Sequence, residues 1–215
     1  MLRLPSVWLL MVIILCAYVG YKITDVLSLY AQDVMEYDQV ASAQVGTFLL
    51  FTRPVIGVVI GILADRTQTT LWLAVSFGVI FGGALLFASG IISASATFLF
   101  FLSILVVSAG VYAARSLYFA VMERGQIPLA LTGTAVGLIS LVGYSPDIFA
   151  GPAMGYLLDR SPGAVGHQQV FACLAAFALV GGIATGLYFR LYGKKQQQIV
   201  NSNALSARRS TRHDI

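Results

Sequence analysis

Apolar positions along this chain fall into six long blocks separated by short polar breaks. The blocks run from about Ser6 to Tyr30, Val40 to Leu63, Leu71 to Ser89, Thr97 to Met122, Leu129 to Leu158 and Gln169 to Leu191. Each is long enough to cross a hydrocarbon core as a helix, which takes about 20 residues. The pattern predicts an all-α membrane protein of six transmembrane helices over residues 1–193. Residues 194–215 carry no apolar block and read as a disordered basic tail on the cytoplasmic side.

One phrase closes two of the blocks. Gly57-x-x-x-Gly61-Ile62-Leu63-Ala64-Asp65-Arg66-Thr67 ends the second, and Gly151-x-x-x-Gly155-Tyr156-Leu157-Leu158-Asp159-Arg160-Ser161 ends the fifth. Repetition within so apolar a chain is the mark of a bundle built from duplicated helix triplets. With the N-terminus in the cytoplasm, one side collects Arg3, Arg66, Arg115, Arg124, Arg190, Lys194, Lys195, Arg208, Arg209 and Arg212. The other side receives Arg160, the acidic cluster Asp33, Glu36 and Asp38, and the uncharged link Ser89 to Ala96. Lys and Arg concentrate in cytoplasmic loops, so both termini are placed inside. The two copies of the phrase then face opposite sides of the membrane, as in two inverted three-helix repeats.

Composition sharpens this. Hydrophobic residues make up 58% of the chain and charged residues 10%, against roughly 25% charge in a soluble domain. A soluble surface is excluded. The net charge of +4 lies largely after Tyr188 and reads as a membrane-side anchor rather than a nucleic-acid surface. Cys16 and Cys173 sit in apolar blocks and read as small hydrophobes. The third and sixth blocks contain no charged residue within their apolar spans and read as lipid-facing scaffold. Their Gly78-x-x-x-Gly82 and Gly182-x-x-x-Gly186 spacings suit close helix packing.

The stretch Gly61-Ile62-Leu63-Ala64-Asp65-Arg66 resembles the G-x-L-A-D-R signature of the major facilitator superfamily. It departs afterwards, reading Thr67-Gln68-Thr69-Thr70 where the family has Gly and basic residues. Gly151-Pro152-Ala153-Met154-Gly155 is similar to the family's G-P-x-x-G element, and the run Pro128 to Gly137 after Glu123 resembles the loop entering that helix. The resemblance covers about Pro5 to Gly193 and implies the C-terminal six-helix half of a permease. It implies a partner too, an N-terminal six-helix half or a second copy, and a location in the bacterial inner membrane. It gives Gly61, Asp65, Arg66, Gly151, Pro152, Gly155, Asp159 and Arg160 the role of gate and hinge residues; the alternative for each is an ordinary helix-ending turn.

Four blocks carry charge where lipid penalises it: Lys22 and Asp25, Arg53, Arg115, and Asp147. An arginine at mid-span costs about 2.5–3.5 kcal/mol on insertion scales, so it requires a partner or a water-filled site. Arg53 is a candidate for gripping an anionic solute, since a guanidinium binds carboxylate or phosphate two-pronged. Its alternative is a structural pair with Asp147 or Asp25. Lys22 and Asp25 share a helical face at i, i+3; they either neutralise each other or serve as an anion contact and a proton site. Tyr18, Tyr21 and Lys22 form a polar stripe suited to a sugar or ring, and Tyr144 is a further solute candidate. Asp147, between Pro146 and Pro152, is a proton-coupling candidate or a structural partner of Arg53 or of freed backbone N–H groups. Arg115 reads as a structural group near the cytoplasmic end. His167 and His213 read as isolated, in a loop and in the tail.

No metal-ligand spacing, phosphate-binding glycine loop or Ser/His/Asp arrangement stands out, so no cofactor, metal or nucleic acid is expected and an enzyme has little support. The expected function is secondary transport of a small polar solute, anions included, by alternating access. The alternatives are a six-helix scaffold or regulatory subunit and an inactive transporter fragment. Reporter fusions test the topology: Thr69 and Ser206 are expected to report cytoplasm, Glu36 and Gly163 the opposite side. A fusion at Ser206 reporting the outer side would refute the orientation.

Overall fold

The computed structural model describes the backbone of residues 5–123 and 132–210, and the side chains of residues 5–121 and 133–192. The chain folds as α1 (Pro5–Ile23), α2 (Val26–Asp33), α3 (Gln39–Arg66), α4 (Thr69–Ala88), α5 (Thr97–Glu123), α6 (Thr132–Gly143), α7 (Pro146–Arg160) and α8 (Ala164–Ser210). Among the described residues, five stretches are long and apolar enough to cross a membrane: Pro5–Asp33, Gln39–Arg66, Thr69–Ala88, Thr97–Val121 and Ala164–Tyr192. The sequence predicts six uninterrupted spans, and the structure differs at two of them. The first is broken between α1 and α2. The fifth is divided into α6 and α7, of 12 and 15 residues, each below the length a crossing needs.

Both breaks have local causes. At the first, Thr24 Oγ1 donates to Tyr21 O at 2.7 Å, and the backbone N–H groups of Thr24 and Asp25 bond to Tyr21 O and Lys22 O, three residues back. At the second, Ser145 Oγ donates to Val142 O at 2.7 Å, and Pro146 supplies no N–H to continue the ladder. A hydroxyl taking a carbonyl three residues back offers the chain an alternative to the α-helical bond. Pro146 then stands in the first turn of α7 with Asp147, where a fixed φ and a negative charge both suit a helix start.

The back of the bundle is α4 packed between α5 and α8, with α1 against α8 and α5. Leu10, Ile13 and Ile14 of α1, Leu73, Phe77 and Ile80 of α4, Ile104 and Val111 of α5, and Leu174 of α8 are buried there. Dispersion between closely approaching backbones holds helices together in lipid. The glycines that permit this approach differ from those expected. A Cβ at Gly78, Gly82 or Gly186 would meet nothing within 4 Å, whereas Gly83 lies against Val107, Gly110 against Ile80 and Gly181 against Phe77 and Cys16. The small-residue seam is therefore offset by one residue from the glycine spacing on both α4 and α8.

The outer helices are α3 and α7. Only Ser42, Val45, Leu49, Ile60 and Ala64 of α3 are buried, and only Pro146 and Ala150 of α7. Gly61, Gly151 and Gly155 face open space. At the far end of α2, the ring of Tyr30 packs against Phe87, Phe100 and Phe171, and its hydroxyl donates to Ile92 O at 2.9 Å.

One further expectation changes. His167 lies in the first turn of α8, fully buried, with Nε2 3.0 Å from Asp33 Oδ2, because α8 starts earlier than the apolar block suggests. α8 continues to Ser210, through a stretch free of proline and rich in good helix formers. Arg3, Arg124, residues 125–131, the side chains from Lys194 onward and His213 lie outside the described residues.

The seam yields a stability test. A Cβ at Gly110 would stand 3.0 Å from both Ile80 N and Ser76 O, backbone atoms that cannot swing aside. Gly110→Ala is expected to cost about 1–3 kcal/mol, read as a lower melting temperature in detergent, while Gly82→Ala leaves it unchanged. Equal effects of the two would contradict this packing.

Candidate functional site

Polar side chains converge where the two broken spans meet. Tyr18, Tyr21, Lys22 and Asp25 recur along α1 and into its break at spacings that share one helical face. From the second break, Asp147 of α7 reaches this face. Lys22 Nζ lies 3.3 Å from Asp147 Oδ1 and 3.8 Å from Asp25 Oδ2, and Tyr18 OH donates to Asp147 Oδ2 at 2.8 Å. Tyr144, in the turn before α7, stands edge-on to Tyr18 with centroids 4.9 Å apart. One ammonium thus holds both carboxylates. Lys22 is 27% exposed, Asp25 67% and Asp147 49%, so these are half-solvated pairs of modest strength rather than a sealed ionic core.

The guanidinium groups find no such partner. Arg53, midway along α3 and just before Pro54, donates from Nη1 to Tyr21 OH at 2.8 Å, with its guanidinium carbon 4.8 Å from the Tyr21 ring centroid. The structural pair of Arg53 with Asp147 or Asp25 is not formed: among the described residues neither carboxylate lies within ion-pair distance of it, both being taken by Lys22. Arg115 of α5 lies over the same ring at 3.7 Å and over Tyr18 at 5.2 Å. Its Nη1 is buried with no hydrogen-bond partner among the described residues. With guanidinium carbons 4.8 and 3.7 Å from one ring centroid, the two like charges repel by about 2 kcal/mol at an effective dielectric of about 20, against which Asp25 attracts Arg53 and Asp147 attracts Arg115. Contacts with an aromatic face return about 0.5–2 kcal/mol each. The tyrosines therefore roughly offset the repulsion but supply no counter-charge.

Beside this cluster a cavity of about 250 Å³ is lined by Tyr21, Thr24, Asp25, Ser28, Arg53 and Tyr112 together with Gly46, Leu49 and Leu50. Its walls come from α1, α2, α3 and α5. Neither α4 nor α8 contributes a residue to it or to the cluster. Both spans thus stay clear of the polar chemistry; they pack against each other and still leave Leu71, Val75, Leu179 and Ile183 exposed.

The candidates Lys22, Tyr21, Asp25, Arg53, Tyr144 and Asp147 come together in one connected group. The others lie apart. Gly61, Asp65 and Arg66 end α3, with both charged residues exposed and in no ion pair with a described residue. Gly151, Pro152 and Gly155 lie along the exposed face of α7. Arg160 Nη1 donates to Tyr156 OH at 3.3 Å, and Asp159 lines a separate cavity of about 530 Å³ with Asp33, Leu158 and Pro162. Arg115, placed by its sequence position near a helix end, belongs to the cluster. Ser108, Tyr112 and Arg115 recur at i, i+4 and i+7 on α5, a polar stripe that marks its inward face.

A bundle of long apolar helices whose mid-span charges cluster at one half-solvated site defines an integral membrane protein. The chain is an integral inner membrane protein, on the evidence of its spans and its relatives. No family model matches it. It is similar to the inner membrane protein YihN of Escherichia coli (strain K12), 30% identical over 94 residues, which is 44% of this chain and 22% of that protein. It is similar also to the inner membrane protein YqcE of the same organism, 33% identical over 78 residues, 36% of this chain and 18% of that protein. The matched segment spans about a fifth of each relative.

The Lys22 hub makes a direct prediction. Lys22→Ala removes the counter-charge that Asp25 and Asp147 share and is expected to lower the melting temperature in detergent modestly, given their partial exposure. Lys22→Ala with Asp147→Asn is expected to recover most of that loss in thermal denaturation. A double variant no more stable than the single one would show that Lys22 does not serve as the shared counter-charge.

Proposed function

We propose that this chain is one six-helix half of a permease of the major facilitator type, moving a small polar solute, with anions the favoured class, by alternating access. The observation that carries the reading is Arg53: a permanent charge on a membrane span, beside a polar cavity, with no carboxylate partner among the described residues. A scaffold protein gains nothing from such a charge. A binding site for a negative group does, because the solute supplies the missing counter-charge.

Packing supports the two-triplet reading. The first span lies against the fifth as the second lies against the fourth, and the third lies against the fourth as the sixth lies against the first. Exchanging one triplet for the other leaves this pattern of neighbours in place, which is what inverted repeats produce. The exposed faces of α3 and α7, open at Gly61, Gly151 and Gly155, suit the approach of a second bundle, either an N-terminal half or a second copy. With 94 residues making 22% of it, YihN is about twice the length of these 215 residues, the room two such bundles take.

On this reading Lys22, Tyr21 and Tyr144 face the solute, and Asp25 and Asp147 are the groups available to carry a proton. Asp65–Arg66 and Asp159–Arg160 flank the bundle ends where gate contacts form and release. Both termini lie in the cytoplasm. No ATP-binding loop stands in the sequence, so the driving force is an ion or solute gradient. The chemistry is transport and not catalysis.

Uptake by the transporter containing this chain tests the reading. Arg53→Ala is expected to abolish uptake while the protein still inserts, since removing a charge from a span does not penalise insertion. Arg53→Lys is expected to impair uptake severely despite keeping the charge, because an ammonium cannot reproduce a two-pronged contact. Normal uptake by a stable Arg53→Ala protein would defeat the proposal.

A further inference from the structure

The charge balance of the cluster reaches beyond Arg53. Lys22, Arg53 and Arg115 stand against Asp25 and Asp147, and Lys22 holds both carboxylates at 3.3 and 3.8 Å. The five charges sum to one positive, and neither guanidinium lies within ion-pair distance of a carboxylate, although Asp25 acts on Arg53 and Asp147 on Arg115 electrostatically. The two guanidinium groups share a single neighbour. Arg53 donates to the Tyr21 hydroxyl at 2.8 Å, and Arg115 lies over the Tyr21 ring at 3.7 Å. Arg115 Nη1, buried among the side chains of its own bundle, has nothing to bond to among the described residues. A buried donor left unsatisfied is rare in folded proteins and calls for an explanation.

We infer that Arg115 is a second binding residue for the acidic group of the solute, and that Tyr21 occupies that group's place while the solute is absent. The inference rests on the proposed transport reading and deepens it. In the empty protein the tyrosine hydroxyl satisfies Arg53, and its ring covers Arg115 and keeps the two like charges apart. An arriving carboxylate or phosphate takes the hydrogen bond of Arg53, displaces the ring and gives Arg115 Nη1 its missing acceptor. Both contacts become charge-assisted, which a neutral phenol cannot match.

The same geometry sets the solute class. One net positive charge calls for one acidic group. The cavity of about 250 Å³ offers Thr24, Ser28, Asp25 and Tyr112 to the rest of the molecule. These are partners for hydroxyl groups, with the Asp25 carboxylate, 67% exposed, as an acceptor. The solute is therefore a small hydroxylated organic anion, its acidic end between Arg53 and Arg115 and its hydroxyls toward the break between α1 and α2.

The test is binding to the protein extracted from its own membrane in mild detergent, with any partner chain that accompanies it. Gluconate, glycerol 3-phosphate and glucose are the probes, followed by calorimetry. At least one of the two anions is expected to bind and glucose is not, and which anion binds separates a carboxylate from a phosphate site. Arg115→Gln is expected to weaken that binding by about tenfold or more, the worth of a hydrogen bond to a charged group. Tyr21→Phe is expected to tighten it by about threefold, because Arg53 no longer has to give up a hydroxyl. If Arg53→Gln loses binding while Arg115→Gln keeps it, this inference fails and the anion reading stands. If neither anion binds, or neither arginine matters, both fail. Weaker binding by Tyr21→Phe would make the hydroxyl a ligand and end the displacement argument. Should Arg115→Gln unfold, Arg115→Lys decides: it keeps the charge but not the fork, and undiminished binding would overturn the proposal.

Discussion

Lipid offers no hydrogen bonds, and much of this structure follows from that constraint. A helix inside a bilayer satisfies its own backbone, so any interruption must be repaired locally or opened to water. The two interruptions here are repaired in the same manner, by Thr24 on the carbonyl of Tyr21 and by Ser145 on the carbonyl of Val142. They are also brought together, so that Asp147 beside one break neutralises Lys22 beside the other. A cavity with polar walls forms next to the first break, where freed backbone and charged side chains can share water.

Much of this was legible in the chain. Lys22 and Asp25 at i, i+3 announce a shared face, and both lie in the cluster. Arg53 at mid-span announces a charge that must turn inward, and it does. The partner of Asp147 was not legible. Whether an acid on the fifth span meets Lys22 or Arg53 depends on the rotation of α7 against α1, which side-chain packing sets and spacing does not. Arg115 was hidden for a related reason: its distance from a helix end suggested an interface, while the stripe Ser108, Tyr112 and Arg115 was the truer sign. The glycine seam was misplaced by one residue on α4 and α8, since a Gly-x-x-x-Gly spacing names a face without saying which neighbour it meets. His167 looked like a loop residue because the apolar block starts later than the helix does.

The closeness of two arginines is the feature least expected of a membrane interior. Each alone is costly, and together they repel by a further couple of kcal/mol. A neutral side chain at either position would remove the repulsion, together with the attraction of Asp25 for Arg53 or of Asp147 for Arg115. Tyr18 and Tyr21 make it tolerable by lending their ring faces. Local consistency is broken here while the apolar packing around it stays regular, and such a place is where functional strain is expected to gather.

The distribution of strong and weak contacts divides the molecule in a way that suits motion. Along α4, α5 and α8, glycines let helices approach so closely that Gly110 lies against backbone atoms of α4; sliding such surfaces means breaking many contacts at once. On the other side, α3 and α7 are held by few buried residues and by polar bonds whose members are 27 to 67% exposed. An exposed ion pair contributes only about 0.2–1 kcal/mol, comparable with what water returns when it breaks. The bonds that join the two broken helices can therefore exchange partners at little cost while the glycine seam stays shut. A bundle that must open at one face and hold at the other needs that contrast, and here it follows from gathering charge at the breaks of α1 and α7 and on α3 and α5, while the middle of α4 and of α8 carries none.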